Sequence, residues 1–237
     1  MGSLPKLADH HPAKTPSYGW FRGTLLVLAF ALACQAFWIL MAEFYRPPPV
    51  GFPTNTQSAV AVNRNAAHLA ALFGFIRGDL WAEDALTYPD VFRRYEWDSE
   101  STQSSTTIEQ ARDVAERALA FAPHDARIWL ALACMDSRLD WLNGKASTAL
   151  QMSYYTGANE IELIPLRLSL AVSFFAISDT DFQQLVRHDI RTVITRRPEL
   201  KSAVLDAYRY ALPAGQQFIE ETLKEMDPTL LSTLRSK

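Results

Sequence analysis

Residues 23–42 read GTLLVLAFALACQAFWILMA, twenty positions without a charged side chain between Arg22 and Glu43. A helix rises ~1.5 Å per residue, so the run covers about 30 Å, the thickness of a bilayer's hydrocarbon core. Tyr18, Trp20 and Phe21 lie at one edge and Phe44 and Tyr45 at the other, where amphipathic rings favour the membrane–water interface. The run predicts a transmembrane helix over 23–42. Its rival is a cleaved signal peptide, for which Ala31-Leu32-Ala33 offers a small-x-small site. Apolar sequence continues nine residues past that site, and the whole run exceeds the ~7–15-residue core of a signal. Cys34 does not complete a lipobox, because Leu32 sits one position too close to it.

Charge sets the expected orientation. Lys6, Lys14 and Arg22 precede the run against Asp9 alone, whereas Arg46 is the only basic residue between the run and Arg64. The positive-inside rule then predicts an inner (plasma) membrane protein with a cytoplasmic tail over 1–22 and an extracytoplasmic C-terminal part. Residues 46–57, RPPPVGFPTNTQ, hold four prolines. Residues 43–57 therefore read as a stiff linker lifting a domain, 58–237, off the surface.

The chain has 237 residues, 49% of them hydrophobic and only 9 glycine. That suffices for one packed core. Beyond the tail, 20 basic residues face 25 acidic ones, a balance that argues against nucleic acid as a partner. Cys34 falls in the apolar run and Cys134 in the domain, so no disulfide is expected, and no ligand set for a metal or cofactor stands near either.

After residue 57 no sustained strand alternation occurs, and the domain reads as all-α. Leu69, Phe73, Ile76 and Leu80 recur at helical spacing along one long helix. A small-residue column, Ala66, Ala70, Gly74 and Gly78, runs along it and suggests close approach by a neighbour. Residues 98–107, DSESTQSSTT, read as a polar loop. Thr106 to Glu109 has the form of a capping box opening a helix through Ala122. Pro123 stops that helix, Asp125 caps the next, Asn143-Gly144 closes it, and a further helix ends near Gly157. Pro165 kinks or resets the following helix, and Asp179-Thr180-Asp181 opens another. Pro198, Pro213 and Pro228, each fifteen residues apart, predict three short helices at the C-terminus.

Ala111, Ala118 and Pro123, followed by Trp129, Leu132 and Ala133, resemble the tetratricopeptide repeat, a helical pair of about 34 residues. The resemblance covers residues 108–157; Ala146 is one place late and Asp136 stands where the family prefers an aromatic. Segments such as MSYYTGANEIELIPLRL (152–168) and RRPELK (196–201) also resemble membrane-anchored repeat proteins of alphaproteobacterial envelopes. The resemblance implies helical hairpins, a buried Trp129, and a concave groove lined by Arg127, Leu130, Cys134, Ser137 and Arg138. Such a groove would suit an acidic, partly apolar peptide.

Other candidates come from the residues themselves. Tyr154 and Tyr155 are a possible hot spot for a protein partner, although one of an adjacent pair is ordinarily core. Arg187, Arg191, Arg196 and Arg197 form the most basic stretch, with Arg187 and Arg191 on one helix face; an anionic glycan or lipid would suit it, as would plain solvation. Asp79 and Glu83, four apart, read as solvated. The histidines are isolated, and no nucleophile elbow, phosphate loop or metal spacing is present. The sequence thus points to a non-enzymatic scaffold binding another envelope protein, with an anionic-polymer binder as the alternative.

Overall fold

A computed structural model describes residues 18–48, 63–88, 102–139, 144–173, 177 and 179–235. All regular structure among them is helical. The tail over 1–17, linker residues 49–57, the start of the domain at 58–62, residues 98–101 of the expected loop and Asn143 lie outside the described residues.

The chain divides into two units, Met1–Leu40 and Met41–Lys237. The first holds most of α1, Gly19–Tyr45, a 27-residue helix long and apolar enough to cross a membrane. Its large side chains are exposed, Leu26, Phe30 and Leu40 among them.

The second unit begins at Met41, well before the expected start at residue 58. Ala42 is buried and belongs to the domain core. The Tyr45 ring stacks on Phe73 with centroids 5.7 Å apart, and Pro47 is buried. The residues read as the start of a spacer are therefore part of the packing, because Tyr45 and Arg46 find partners on the next two helices.

Those helices are α2, Arg64–Phe73, and α3, Gly78–Leu86. A single helix was expected here. It breaks at 74–77, where Gly74 caps α2 by donating to Ala70 O and Arg77 is extended. Two glycines in five residues remove ~1 kcal/mol each of helix preference. The break also satisfies freed backbone groups: Arg77 N donates to Gly74 O at 2.7 Å, and the Trp81 indole donates to Phe75 O at 3.1 Å. The expected apolar stripe splits accordingly, Leu80 buried and Ile76 exposed.

Gly78 confirms the close approach anticipated for the small-residue column. A Cβ there would lie 2.7 Å from Ala122 Cβ, at the end of α4. Helix α4, Thr102–Phe121, starts inside the stretch expected to be a loop, so Thr106 to Glu109 lies within the helix and not at its start. The buried stripe Ala111, Ala115 and Ala118 explains the override. Methyl-sized side chains let α4 approach α3 and α5 closely, and that packing carries the polar first turns along.

Helix α5, Ala126–Leu139, is capped as expected, with Asp125 Oδ1 accepting from Arg127 N at 3.0 Å. Helix α6, Lys145–Thr156, ends on Gly157. A 3-10 turn leads into α7, Ile164–Ala171, and Pro165 in its first turn resets the helix start. Asp179 caps α8, Thr180–Arg196, by accepting from Asp181 N. The three C-terminal prolines open a 3-10 turn before α9, Lys201–Tyr210, and then α10, Pro213–Met226, and α11, Pro228–Arg235. Gly215 lets α10 reach the backbone at Val172, where Leu212 N donates to Val172 O at 3.2 Å. Lys201 pairs with Asp227 at 2.8 Å and joins the start of α9 to the end of α10.

Candidate functional site

Three groupings of polar side chains stand out in the second unit. The first is internal. Arg167 on α7 is fully buried. Its Nε donates to Ser153 Oγ at 3.0 Å, one terminal nitrogen to Gly157 O at 2.9 Å, and the other to Ser153 O. The guanidinium lies over the Tyr154 ring, 4.8 Å from its centroid, and that ring meets Phe182 edge-on. Asp189 on α8 is buried beside them; burial pushes its carboxyl up to about 7, with Arg167 offsetting only part of the rise. Desolvation likewise lowers the Arg167 pKa. The cluster fastens α6, α7 and α8 together. Nothing in the sequence pattern marks Arg167, whose long side chain resembles any surface arginine until α6 closes over it.

The second grouping pairs α2 with α3. His68 Nδ1 lies 2.9 Å from Asp84 Oδ2. Asp84 is buried, and that burial raises its pKa against the pull of His68. Arg64 lies over the Tyr88 ring at 3.8 Å. His68 thus has a carboxylate partner that sixteen residues of separation hide in the sequence.

The third lies where α1 ends. Arg46 bonds Glu83 at 2.6 Å and approaches Asp79 at 3.5 Å. Arg77 bonds Asp79 at 2.7 Å and Glu43 at 2.5 Å. Asp79 and Glu83, expected to be merely solvated, therefore share one arginine. Arg77 holds the Asp79 carboxyl below its ordinary range. Two segments distant in sequence converge in this network, and exposed aromatic and aliphatic side chains flank it: Phe44, Phe75 and Ile76. Phe121 joins them, since a Cβ on Gly78 would lie 3.1 Å from Phe121 Cβ.

The expected partner-binding residues scatter. Leu130 is fully buried and Cys134 nearly so. Neither lines an open groove, because neighbouring helices cover the face of α5 that the repeat register assigned to it. Burial pushes the Cys134 thiol up to about 12. Arg127 is half-buried and bonded to Asp125 at 2.9 Å; Ser137 Oγ donates to Cys134 O at 2.7 Å; Arg138 is half-buried at the end of α5. Tyr154 is core, part of the Arg167 cluster, whereas Tyr155 is 63% exposed. Trp129 packs partly buried against the core and donates from its indole to Pro123 O at 2.7 Å. Asp136, at the position where an aromatic was expected, pairs with Arg112 at 2.9 Å.

The basic stretch is also divided. Arg187 lies over the Phe218 ring, 5.5 Å from its centroid. Arg197 pairs with Glu199 at 3.4 Å, and Arg191 and Arg196 are exposed. Among the described residues no three His, Cys, Asp or Glu side chains are grouped to hold a metal. On α10, Gln216, Gln217 and Glu220 line a shallow, open depression.

The chain matches no protein-family model, no curated protein and no solved structure. The tetratricopeptide resemblance therefore rests on the sequence of residues 108–157 alone.

Proposed function

We propose that this protein is a single-pass membrane-anchored helical scaffold that recruits another envelope protein and performs no catalysis of its own. In this reading α1 crosses the inner membrane through residues 23–42, with the N-terminus cytoplasmic and the helical domain outside. The observation that carries it is the pairing of an exposed apolar helix with a domain that presents Tyr155 on α6. Tyrosine combines apolar area with a hydroxyl at little conformational cost, which suits it to partner contact. Arg127, Ser137 and Arg138 remain candidates for partner contact on α5, whereas Leu130 and Tyr154 are core and touch no partner.

Photo-crosslinking from position 155 in the membrane-embedded full chain, read by mass spectrometry, tests the proposal. A stoichiometric protein adduct, lost when Arg127 and Arg138 are replaced by alanine, supports it. The absence of any adduct at 155 in native membranes overturns it. A second reading, binding of an anionic glycan or lipid, is favoured by Arg191 and Arg196, which lie exposed on α8. Co-purification of such a polymer, dependent on those two arginines, would establish it instead.

A further inference from the structure

Four large apolar side chains are exposed around the Arg46–Arg77 network: Phe44 at 74%, Phe75 at 57%, Ile76 at 65% and Phe121 at 49%. They come from three parts of the chain, and the domain's own contacts hold those parts together. Glu43 bonds Arg77 and Arg46 bonds Glu83. Trp81 fixes the 74–77 turn through Phe75 O, and Gly78 seats the end of α4 against the start of α3.

The register of these contacts has a direction. Residue 43 sits beside the start of α3, and residue 46 reaches a turn further along it, to Glu83. Within the second unit, residues 43–46 thus run along α3 from its start, the end of α3 against which α4 stops. Phe44 follows the last residue of the apolar run by two positions, about 3 Å of helix. Arg77, which ends the 74–77 turn, bonds Glu43, the residue before Phe44, so the turn and Phe44 are neighbours within the second unit. Two arginines at this end offset most of the charge of three carboxylates. Arg46 and Arg77 face Glu43, Asp79 and Glu83, which lowers the cost of bringing them close to a headgroup layer.

We infer that Phe44, Phe75, Ile76 and Phe121 form a second, monotopic membrane contact, resting in the headgroup–acyl boundary of the bilayer that α1 crosses. This rests on the anchor reading above.

The full chain in nanodiscs of phosphatidylcholine and phosphatidylglycerol provides the test. Cys34→Ala removes one native thiol; Cys134 is buried and its raised pKa leaves it unreactive. Spin labels are placed singly by Ile76→Cys, Phe121→Cys, Phe30→Cys and Tyr210→Cys, the last at an exposed site at the end of α9. Collision with oxygen, relative to a water-soluble nickel chelate, should be several-fold higher at 76 and 121 than at 210, and should approach the value at 30. Values at 76 and 121 equal to that at 210, with 30 in lipid, would overturn the contact and leave the anchor standing. Protection of 76 and 121 from both reagents would also overturn it, showing that protein covers them. Nickel access at 30 would overturn both readings.

Discussion

Arg167 is fully buried and bonds a serine hydroxyl and two backbone carbonyls, whereas Arg77, about 30% exposed, spans the carboxylates of Glu43 and Asp79. One guanidinium replaces water for oxygens that would otherwise be dry. The other joins segments 34 residues apart in a layer that solvent still screens. A buried charge is costly to leave half-partnered, while an exposed pair contributes only modestly. The same residue type therefore fixes the interior at one place and fine-tunes an edge at the other.

The contrast is broken most directly at Arg167. Arg167→Met strands Ser153 O and Gly157 O and removes the positive charge that offsets part of the Asp189 pKa rise, and should destabilise the domain by about 3–5 kcal/mol. Thermal melting of the full chain in detergent should show a large fall or no accumulation. Arg167→Lys should not restore the parent, since an ammonium cannot fork between these acceptors. A melting temperature unchanged in Arg167→Met would place the cluster outside the core.

Trp129→Ala is the next largest change. The indole is only partly buried, so the loss should be about 2 kcal/mol, short of the ~3–5 kcal/mol of a fully enclosed aromatic. Urea unfolding of the full chain reads it. A midpoint equal to the parent's would mean that the Pro123 hydrogen bond holds nothing.

Asp189 sharpens the same comparison through pH. Its folded pKa is raised, to about 7, from an ordinary 3.8. The folded state thus keeps a proton that the unfolded chain gives up. Stability from this group is complete below about pH 4, falls as pH rises from about 4 to about 7, and stays lost above. Asp189→Asn should flatten that decline in chemical denaturation across this range. A decline that persists unaltered in the variant would assign it to other groups.

The smallest effect belongs to the edge. Arg77→Ala should lower stability by about 0.2–1 kcal/mol, and added salt should shrink the difference. Melting at low and high salt tests this; a loss as large as that of Arg167→Met would show that the edge network holds the fold.

Much of the fold was legible because it depends on local signals. The C-terminal prolines, the Asp125 and Asp179 caps and Gly157 each act within a few residues. The apolar helix was legible from its length alone. The clusters were not, because they are made by tertiary closure. Arg167 looks like a surface residue until α6 packs over it, and His68 meets Asp84 only because the chain turns at Gly74. The repeat register failed at Leu130 and Cys134 for a related reason: a helical period gives a face, and only the neighbouring helix decides whether that face is covered. The polar opening of α4 misled in the same way, its helix set by alanines further along.

The early start of the second unit bears on proteolysis. Residues 42–47 hold to α2 and α3 through a ring stack, a buried proline and ion pairs. A protease cutting within 49–62 would sever the covalent tether and leave those contacts in place. The two fragments should stay together as a split protein until heat or denaturant parts them. Separation of the fragments by a single nick in that stretch is thereby resisted by the fold itself.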